Sequence, residues 1–267
     1  MTPLQALVLG IIQGLSEFLP ISSSAHLTLA PWLFGWEDPG LSFDVALHFG
    51  TLIAVLWYFR AEWAALVRAA WQILATRRIE TPEQRRVVYL ILATIPGAVG
   101  GFLLQSRAES AFRSPQIIAI ALIIMGLLLW LVDKLTDQRR VLGEMRWLDA
   151  LLIGLSQVIA LIPGVSRSGS TITTGRGLRF DRESAAEFSF LMSMPIIAAA
   201  VILEGPKALH EGGVTTELMA GVMASAISGW LAISILMRFI TRHSYGIFAF
   251  YRIALGIAVL AVLYARG

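Results

Sequence analysis

The sequence has no cysteine and few charged residues. Only 15% of its 267 residues are Asp, Glu, Lys or Arg, against about 25% in soluble domains. The absence of cysteine excludes disulfides and thiolate chemistry. The net charge of +3 comes from basic residues scattered singly between apolar segments, which predicts no nucleic-acid partner. Such residues are more typical of the topology signals of a membrane protein.

Apolar runs make up most of the sequence, and 57% of all residues are hydrophobic. Several runs reach the length of about 20 residues that an α-helix needs to cross the hydrocarbon of a bilayer. The chain is therefore predicted to be an all-α, polytopic membrane protein. The predicted full spans are 42–59, 87–105, 115–132, 184–203, 217–240 and 246–264. The amphipathic stretch 61–75 either lies along the interface or extends the preceding helix.

Two further apolar stretches, 4–30 and 148–175, are interrupted by a proline and by polar residues. Each predicts a re-entrant hairpin made of a short helix, a polar loop and a second short helix. Non-helical backbone at membrane depth needs surrounding protein or a water-filled cavity. Aligning the two prolines places Ser23 against Ser166, which suggests an internal repeat. A chance likeness of two loops rich in proline and serine is the alternative.

The basic residues indicate the orientation of this repeat. They concentrate in the stretches 60–86, 134–146 and 176–182, and at Arg238 and Arg242. The connections near 106–114 and 204–216 hold few of them, so the positive-inside rule places the first group in the cytoplasm and both termini outside. The two hairpins then enter from opposite sides. This predicts inverted-topology repeats, at about 1–135 and 147–267, in a single membrane domain, 1–267.

The first interrupted stretch contains "QGLSEFLPISSSAH", Gln13 to His26. Gln13 and Glu17 are four residues apart and share one face of a helix. A carboxylate in hydrocarbon costs about 2.5–3.5 kcal/mol on insertion scales, so Glu17 needs a partner. Ser22 or Ser23 is expected to cap the next helix, and His26 lies one turn beyond Ser23. A carboxylate, a hydroxyl and an imidazole can form a set of nucleophile, base and orienting group.

The second interrupted stretch contains "PGVSRSGST". Arg167 lies between Ser166 and Ser168, soon after Gly164. An arginine fork flanked by hydroxyls, with backbone amides that glycine leaves accessible, suits phosphate oxygens. If the hairpins converge near the midplane, Arg167 faces Glu17. The alternatives are that these two residues form a purely structural ion pair and that the serines only cap helices.

Other polar residues of the spans have a structural interpretation. His48, in the run "DVALHFGT", is predicted to be a hydrogen-bond partner within the bundle, and Asp44 has the same interpretation or lies at the rim of the site. The pair Gly97 and Gly101, and the run "GVMASAISG", pack helices within one chain or in a homodimer. Inverted repeats with broken helices are also a transporter architecture. A carrier of a lipid phosphate is therefore an alternative to an enzyme.

The two motifs closely resemble the signature motifs of the undecaprenyl-diphosphate phosphatase family, also called the bacitracin-resistance protein family. Further stretches agree with the family: "FDVALHFGTLIAVLWYFR", "ATIPGAVGG", "EFSFLMSMPI" and "RHSYGIFAFYRIALG". The resemblance covers essentially the whole chain. It implies a multi-pass enzyme of the bacterial cytoplasmic (inner) membrane that hydrolyses a polyprenyl diphosphate lipid, undecaprenyl diphosphate, to the monophosphate. This reaction recycles the lipid carrier for cell-wall synthesis, at a site open to the periplasmic side.

The chemistry of the two loops and the resemblance together suggest roles for single residues; the resemblance itself covers Gln13, Glu17, Ser23, His26, Ser166 and Arg167. Those predicted to be catalytic are Glu17, Ser23, His26 and Arg167. Those predicted to bind the substrate are Gln13, Ser22, Ser24, Gly164, Ser166 and Ser168.

The resemblance further implies a divalent cation, Mg²⁺ or Ca²⁺. Many members of the family have a glutamate where this chain has Gln13, so Glu17 is the one carboxylate that this motif offers to a metal. Either Ser23 attacks the terminal phosphorus with His26 as its proton partner, or His26 or water attacks. The sequence leaves these three mechanisms open.

Overall fold

The computed structural model describes residues 1–110 and 113–266, without the side chains of residues 41, 105–110, 204 and 207–212. Residues 111 and 112, within the predicted connection 106–114, lie outside the described part. The described residues form α-helices joined by short connections. In chain order the helices are α1 (Pro3–Phe18), α2 (Ser23–Phe34), α3 (Leu41–Tyr58), α4 (Arg60–Thr76), α5 (Pro82–Ser110), α6 (Pro115–Leu135), α7 (Trp147–Ser156), α8 (Arg167–Gly177), α9 (Arg182–Gly212), α10 (Thr216–Ile240) and α11 (Gly246–Arg266).

Five of these helices are long and apolar enough to cross a membrane, namely α5, α6, α9, α10 and α11. The pair α3 and α4, bent by 83° at its junction, provides a sixth candidate span. The prediction of a multi-pass helical membrane protein is therefore confirmed. Because α4 leaves α3 at such an angle, it does not extend that helix in a straight line. Of the two predictions for 61–75, the position along the interface fits this bend.

Both predicted interruptions occur where the prolines stand. α1 ends at Phe18, before Pro20, and α2 begins at Ser23. α7 ends at Ser156, a short 3-10 helix follows at Val158–Leu161, and α8 begins only after Pro163. Proline has no N–H and restricts the residue before it, so α1 stops just before Pro20. α7 stops seven residues before Pro163, and the 3-10 helix fills the distance between them. Each interrupted stretch is a pair of short helices, as predicted.

The two loops end in the same type of helix cap. Ser22 precedes α2 with φ of 78°, and Ser166 precedes α8 with φ of 72°. Each hydroxyl accepts a hydrogen bond from the amide three residues further on. The caps therefore match Ser22 with Ser166 and Ser23 with Arg167. The predicted alignment of Ser23 with Ser166 was wrong by one residue, because the caps follow their prolines at different distances.

The packing of the helices repeats in the same way. α1 packs against α10, and α7 packs against α5; α3 packs against α9, and α6 against α11. The same set of contacts results when each helix of the first half is exchanged with its counterpart in the second: α1 with α7, α3 with α9, α5 with α10, and α6 with α11. Such an exchange is what two related halves of a membrane protein produce. The boundaries of the halves, at about 1–135 and 147–267, stay a prediction.

Small residues bring α10 close to the first hairpin. A Cβ atom on Gly10 would collide with the carbonyl of Gly221, and one on Gly14 would collide with Ser228. The Ser225 hydroxyl donates to the carbonyl of Leu47 in α3, at 2.8 Å. The run "GVMASAISG" therefore packs helices within one chain, as small residues do in membranes. The homodimer stays a prediction.

Candidate active site

The tips of the two hairpins are hydrogen-bonded to each other. The Gly164 amide donates to the Ser22 hydroxyl at 3.1 Å. The Ser168 hydroxyl donates to the carbonyl of Leu19 at 3.1 Å. Because backbone groups at this depth need partners inside the protein, each loop supplies partners for the other. The predicted convergence of the hairpins is therefore confirmed.

A buried arginine of α11, Arg252, is hydrogen-bonded to both loops. Arg252 has 0% exposure and donates to the carbonyls of Pro20, Gly164 and Val165, at 2.8–2.9 Å. It thus bridges the first loop and the second. Arg252 was not among the predicted site residues, although an ionisable residue inside an apolar span is often functional.

A pocket of about 260 Å³ opens between the hairpins and the helices α3, α5 and α9. Its polar part comes from both loops and from α3, and its apolar part comes mainly from the second hairpin and α9. It is lined by Glu17, Ser22, Ser23, Ser24, His48, Gly97, Gln157, Ala160, Leu161, Ser166, Arg167, Ile196, Ile197 and Ala200. The N-termini of α2 and α8 both meet at this pocket. The first amides of a helix have no acceptor within the helix, so such ends favour an anion.

Glu17 is the centre of the polar part. Its Oε1 accepts a hydrogen bond from Arg167 Nη2 at 2.7 Å. Its Oε2 accepts from the Ser23 hydroxyl at 2.5 Å and from Gln13 Nε2 at 3.1 Å. The prediction that Arg167 and Glu17 face each other across the two hairpins is therefore confirmed. A short bond to a carboxylate is of the strong, charge-assisted kind.

His48 belongs to this cluster, although its sequence context predicted only a bundle partner. Its Nδ1 lies 2.7 Å from the carbonyl of Asp44, which can only accept, so Nδ1 carries a proton. Its Nε2 lies 3.5 Å from Glu17 Oε2 and faces the pocket. A lone histidine in an apolar helix carries no signal of such a contact. The register of α3 against the first hairpin creates it.

Asp44, the other polar residue of that helix, pairs with a basic residue. Its Oδ2 accepts from Arg113 Nη2 at 3.4 Å, and Arg113 lies 3.5 Å from Asp38. Asp44 does not line the pocket. Its carbonyl, rather than its carboxylate, contacts His48.

His26 is held away from the Ser23 hydroxyl. Its Nδ1 donates to the carbonyl of Ser22 at 2.7 Å, and its Nε2 lies 2.7 Å from the hydroxyl of Tyr251, on which the ring also stacks. The carbonyl can only accept, so in the neutral ring Nε2 accepts from Tyr251. Both ring nitrogens are thus occupied, and His26 does not line the pocket. Its catalytic role stays a prediction that this geometry does not favour.

The remaining predicted binding residues fall into two groups. Ser22, Ser24 and Ser166 line the pocket. Gly164 and Ser168 tie the loops together instead. The same hydroxyl pairing occurs in both loops, with Ser22 and Ser24 at 3.3 Å and Ser166 and Ser168 at 3.2 Å. Contact of these residues with a substrate stays a prediction.

The side chains around Glu17 do not form a site for the predicted divalent cation. Mg²⁺ and Ca²⁺ take about six to eight oxygen ligands, whereas the Glu17 carboxylate is already bonded to Arg167, Ser23 and Gln13. Gln13 Oε1 is buried without a hydrogen-bond partner and offers a single additional oxygen. Within the described ranges, no group of three or more His, Asp or Glu side chains could hold a metal ion. These side chains do not fit a protein-held cation, and the cation stays a prediction.

These features define a class: multi-pass helical membrane proteins with an anion-suited pocket between two re-entrant hairpins. The family model described as "Bacitracin resistance protein BacA" matches residues 6–258. The chain belongs to this family.

Similar proteins match the chain over its full length. A protein of Gemmatimonas aurantiaca named "Undecaprenyl-diphosphatase" is 59% identical over 266 residues, covering 100% of both chains. Proteins of the same name from Pelotomaculum thermopropionicum and Moorella thermoacetica are 51% and 49% identical. Each comparison covers 100% of this chain and at least 98% of the relative.

Proposed function

We propose that the chain hydrolyses undecaprenyl diphosphate to undecaprenyl phosphate and inorganic phosphate, and so recycles the lipid carrier for cell-wall synthesis. The name of its relatives supports this reaction, and so does the pocket. One observation carries the proposal: Glu17 holds the Ser23 hydroxyl at 2.5 Å and the Arg167 guanidinium at 2.7 Å, at the starts of two helices. The resemblance of the motifs supports a pocket open to the periplasmic side of the bacterial inner membrane.

The polar part of the pocket binds the diphosphate. Arg167 already bonds the carbonyl of Ser189 through Nη1, at 3.2 Å, and Glu17 through Nη2. The guanidinium is therefore fixed in place before a substrate arrives. Together with the amides at the starts of α2 and α8, it supplies fixed donors for the charge that develops on phosphate oxygens.

The short contact between Ser23 and Glu17 supplies a nucleophile and a base. Ser23 Oγ attacks the terminal phosphorus and gives its proton to Glu17, while the bond from that phosphorus to the bridging oxygen breaks. Undecaprenyl phosphate leaves with the electron pair of this bond. Glu17 passes the proton from Ser23 to the oxygen of the leaving undecaprenyl phosphate and becomes a carboxylate again. Water then attacks the phosphoserine phosphorus and gives a proton to Glu17, while the bond from phosphorus to Ser23 Oγ breaks. Glu17 returns that proton to Ser23 Oγ as inorganic phosphate is released. Direct attack by water needs the same carboxylate, whereas attack by His26 would first break its contact with Tyr251.

A lipid-phosphate transporter is the alternative function. It would use the same anion pocket, but it would have no need for a hydroxyl held on a carboxylate. Purified protein in detergent separates the two, because only an enzyme releases inorganic phosphate from undecaprenyl diphosphate. We expect release by the unaltered protein and almost none by Ser23→Ala.

Two arginine variants make a matched test of the pocket. Arg167→Lys loses the planar fork that bonds Glu17, and we expect it to lower kcat about 10²- to 10³-fold. Arg86→Lys alters an arginine that pairs with Glu187 at 3.4 Å, outside the pocket. This control is expected to keep kcat within about threefold, since such pairs contribute little. No phosphate release by the unaltered protein, or full activity of Ser23→Ala, would contradict the proposal.

A further inference from the structure

Two apolar grooves lie beside the pocket, at different positions along α9. The first groove lies between α3, α9 and α10, with a volume of about 710 Å³, and its lining residues are all apolar. The second groove lies between α4, α5 and α9, with a volume of about 350 Å³. Both volumes are within the range of about 300–1,000 Å³ that is typical of small-molecule sites. The diphosphate pocket therefore has two neighbouring grooves that can accept an apolar chain.

The first groove continues directly from the pocket along two helices. On α9, Ile197 lines the pocket and Val201, one turn further on, lines the groove. On α3, His48 lines the pocket, while Val45 and Phe49 line the groove. A step of four residues along a helix is about 6 Å. An apolar chain attached to a phosphate in the pocket thus reaches the groove within about one helical turn.

The second groove also adjoins the pocket, at Ala98 beside Gly97 and at Pro195 beside Ile196, but a fixed contact lies on that side. Gln157 of the second hairpin lies against Gly97 of α5 and donates to the carbonyl of Ala93 at 2.7 Å. Because both Gln157 and Gly97 line the pocket, this bond holds the wall on that side. On the side of the first groove, the wall is the partly exposed side chain of His48, whose exposure is 26%.

On the basis of the proposed function, we infer that the first groove binds the part of the polyprenyl chain nearest to the diphosphate. The neighbouring connections support this choice, since the second groove adjoins α4, in the basic stretch that the positive-inside rule assigns to the cytoplasm. The first groove adjoins the starts of α3 and α10, on the opposite side. It is therefore in the leaflet that faces the proposed periplasmic opening.

Shape, rather than hydrophobicity, gives the first groove its preference for a prenyl chain. Lipid tails are as apolar as its walls, so the transfer of a prenyl chain from bilayer to groove gains little by itself. Met219 and Met223 line its outer side and are 48% and 63% exposed. Such unbranched side chains adapt to irregular ligands. Filling the groove should therefore weaken substrate binding without changing the chemical step.

Tryptophan substitutions in the two grooves make a matched kinetic test. Ala46 lines the first groove and Ala70 the second, and both are half-buried helix residues. We expect Ala46→Trp, whose side chain would fill part of the first groove, to raise KM for undecaprenyl diphosphate about tenfold, with kcat unchanged. Inhibition by inorganic pyrophosphate, which has no chain, should be unaffected. Ala70→Trp should leave all three quantities within about twofold.

Three results would overturn the inference. An unchanged KM in Ala46→Trp would exclude the first groove. A larger rise of KM in Ala70→Trp would assign the chain to the second groove. An equal loss of pyrophosphate inhibition in Ala46→Trp would mean that the pocket itself had been altered. Absence of phosphate release by the unaltered protein would instead refute the proposed function.

A binding measurement tests the groove independently of catalysis. The chain has no cysteine, so one introduced thiol can be labelled alone with a lipid-soluble maleimide. Met223→Cys places it in the first groove and Val67→Cys in the second, at positions with 63% and 64% exposure. We expect undecaprenyl phosphate to slow labelling of Met223→Cys about fivefold, a difference of about 1 kcal/mol, and to leave Val67→Cys unchanged. Equal protection by phospholipid, protection at Val67→Cys, or no protection would overturn the inference.

Discussion

Glu17 and Asp133 are buried carboxylates that pair with arginines, and the two clusters differ in what surrounds them. Asp133 accepts from Arg176 Nε at 2.8 Å, from Arg182 Nε at 2.9 Å and from the Tyr245 amide at 3.0 Å. Its side chain is 2% exposed, against 7% for Glu17. Asp133 connects the end of α6 with α8, α9 and the start of α11. By burial and pairing alone, the two carboxylates would be indistinguishable.

The atoms next to each cluster separate them. Arg176, fully buried beside Asp133, also donates to the carbonyls of Phe180 and Thr136. Glu17 faces a cavity of about 260 Å³ instead, and Gln13 Oε1 behind it has no partner. A buried polar group without a partner costs about 1–3 kcal/mol and calls for an explanation. The proposed role of Glu17 is therefore supported by the cavity and the unsatisfied oxygen of Gln13, rather than by the buried ion pair, which Asp133 also has.

The largest difference between the two clusters is expected for Glu17→Gln. The amide keeps the shape of the side chain but cannot take the proton of Ser23, so kcat should fall about 10²- to 10⁴-fold. Binding of inorganic pyrophosphate, measured by calorimetry, should persist because Arg167 is then free for the anion. Glu187→Gln, which alters a glutamate paired with Arg86 outside the pocket, is the control. A wild-type rate in Glu17→Gln would contradict a catalytic role for Glu17.

Asp133→Asn is expected to act on stability instead. It leaves the fully buried Arg176 without its counter-charge, and breaking a buried pair in this way costs about 3–5 kcal/mol. The temperature of thermal unfolding in detergent should fall strongly, while kcat of the folded fraction stays within about threefold. A loss of kcat as large as that of Glu17→Gln, with unchanged unfolding, would mean that the two clusters do not differ in role.

The sequence was sufficient for much of the fold because the membrane constrains it. Spans follow from apolar length, and the interruptions near Pro20 and Pro163 follow from missing backbone donors. The meeting of Glu17 with Arg167 could be predicted too, since each charge needs a partner at that depth. The register of the two loops could not, because the φ values of the cap serines, rather than the prolines, define it.

The contacts of single side chains were harder to predict. His26 is one turn from Ser23, yet its ring turns back to the carbonyl of Ser22 and to Tyr251 of α11. His48 and Arg252 are isolated polar residues in apolar helices, and their local sequence does not indicate which residues they contact. These contacts depend on how α3 and α11 pack against the first hairpin. This register is set by tertiary packing, and the hydrophobic periodicity of the sequence does not indicate it.

His48→Gln tests whether the Glu17 cluster extends to α3. His48 Nε2 lies 3.5 Å from Glu17 Oε2. This contact attracts the carboxylate when the ring carries protons on both nitrogens, and such an ion pair contributes about 1 kcal/mol. We expect kcat to fall about fivefold, with KM little changed. His243→Gln, at an exposed histidine that stacks on Phe239, should have no effect. An unaltered kcat in His48→Gln would restore the structural interpretation of this residue.

The smallest effect is expected for Tyr251→Phe, which tests whether His26 belongs with the reacting groups or with the satisfied contacts of the fold. The variant keeps the stacked ring but removes the hydroxyl that lies 2.7 Å from His26 Nε2. If the contact only holds the first loop, its loss is worth about 0.5–1.5 kcal/mol, and kcat should fall by about threefold or less. If His26 were the nucleophile, the variant would free its lone pair and raise the rate of phosphate release. Such a rise would assign His26 to the reacting groups, because loss of the Tyr251 hydrogen bond would then make the ring more reactive rather than only loosen the first loop.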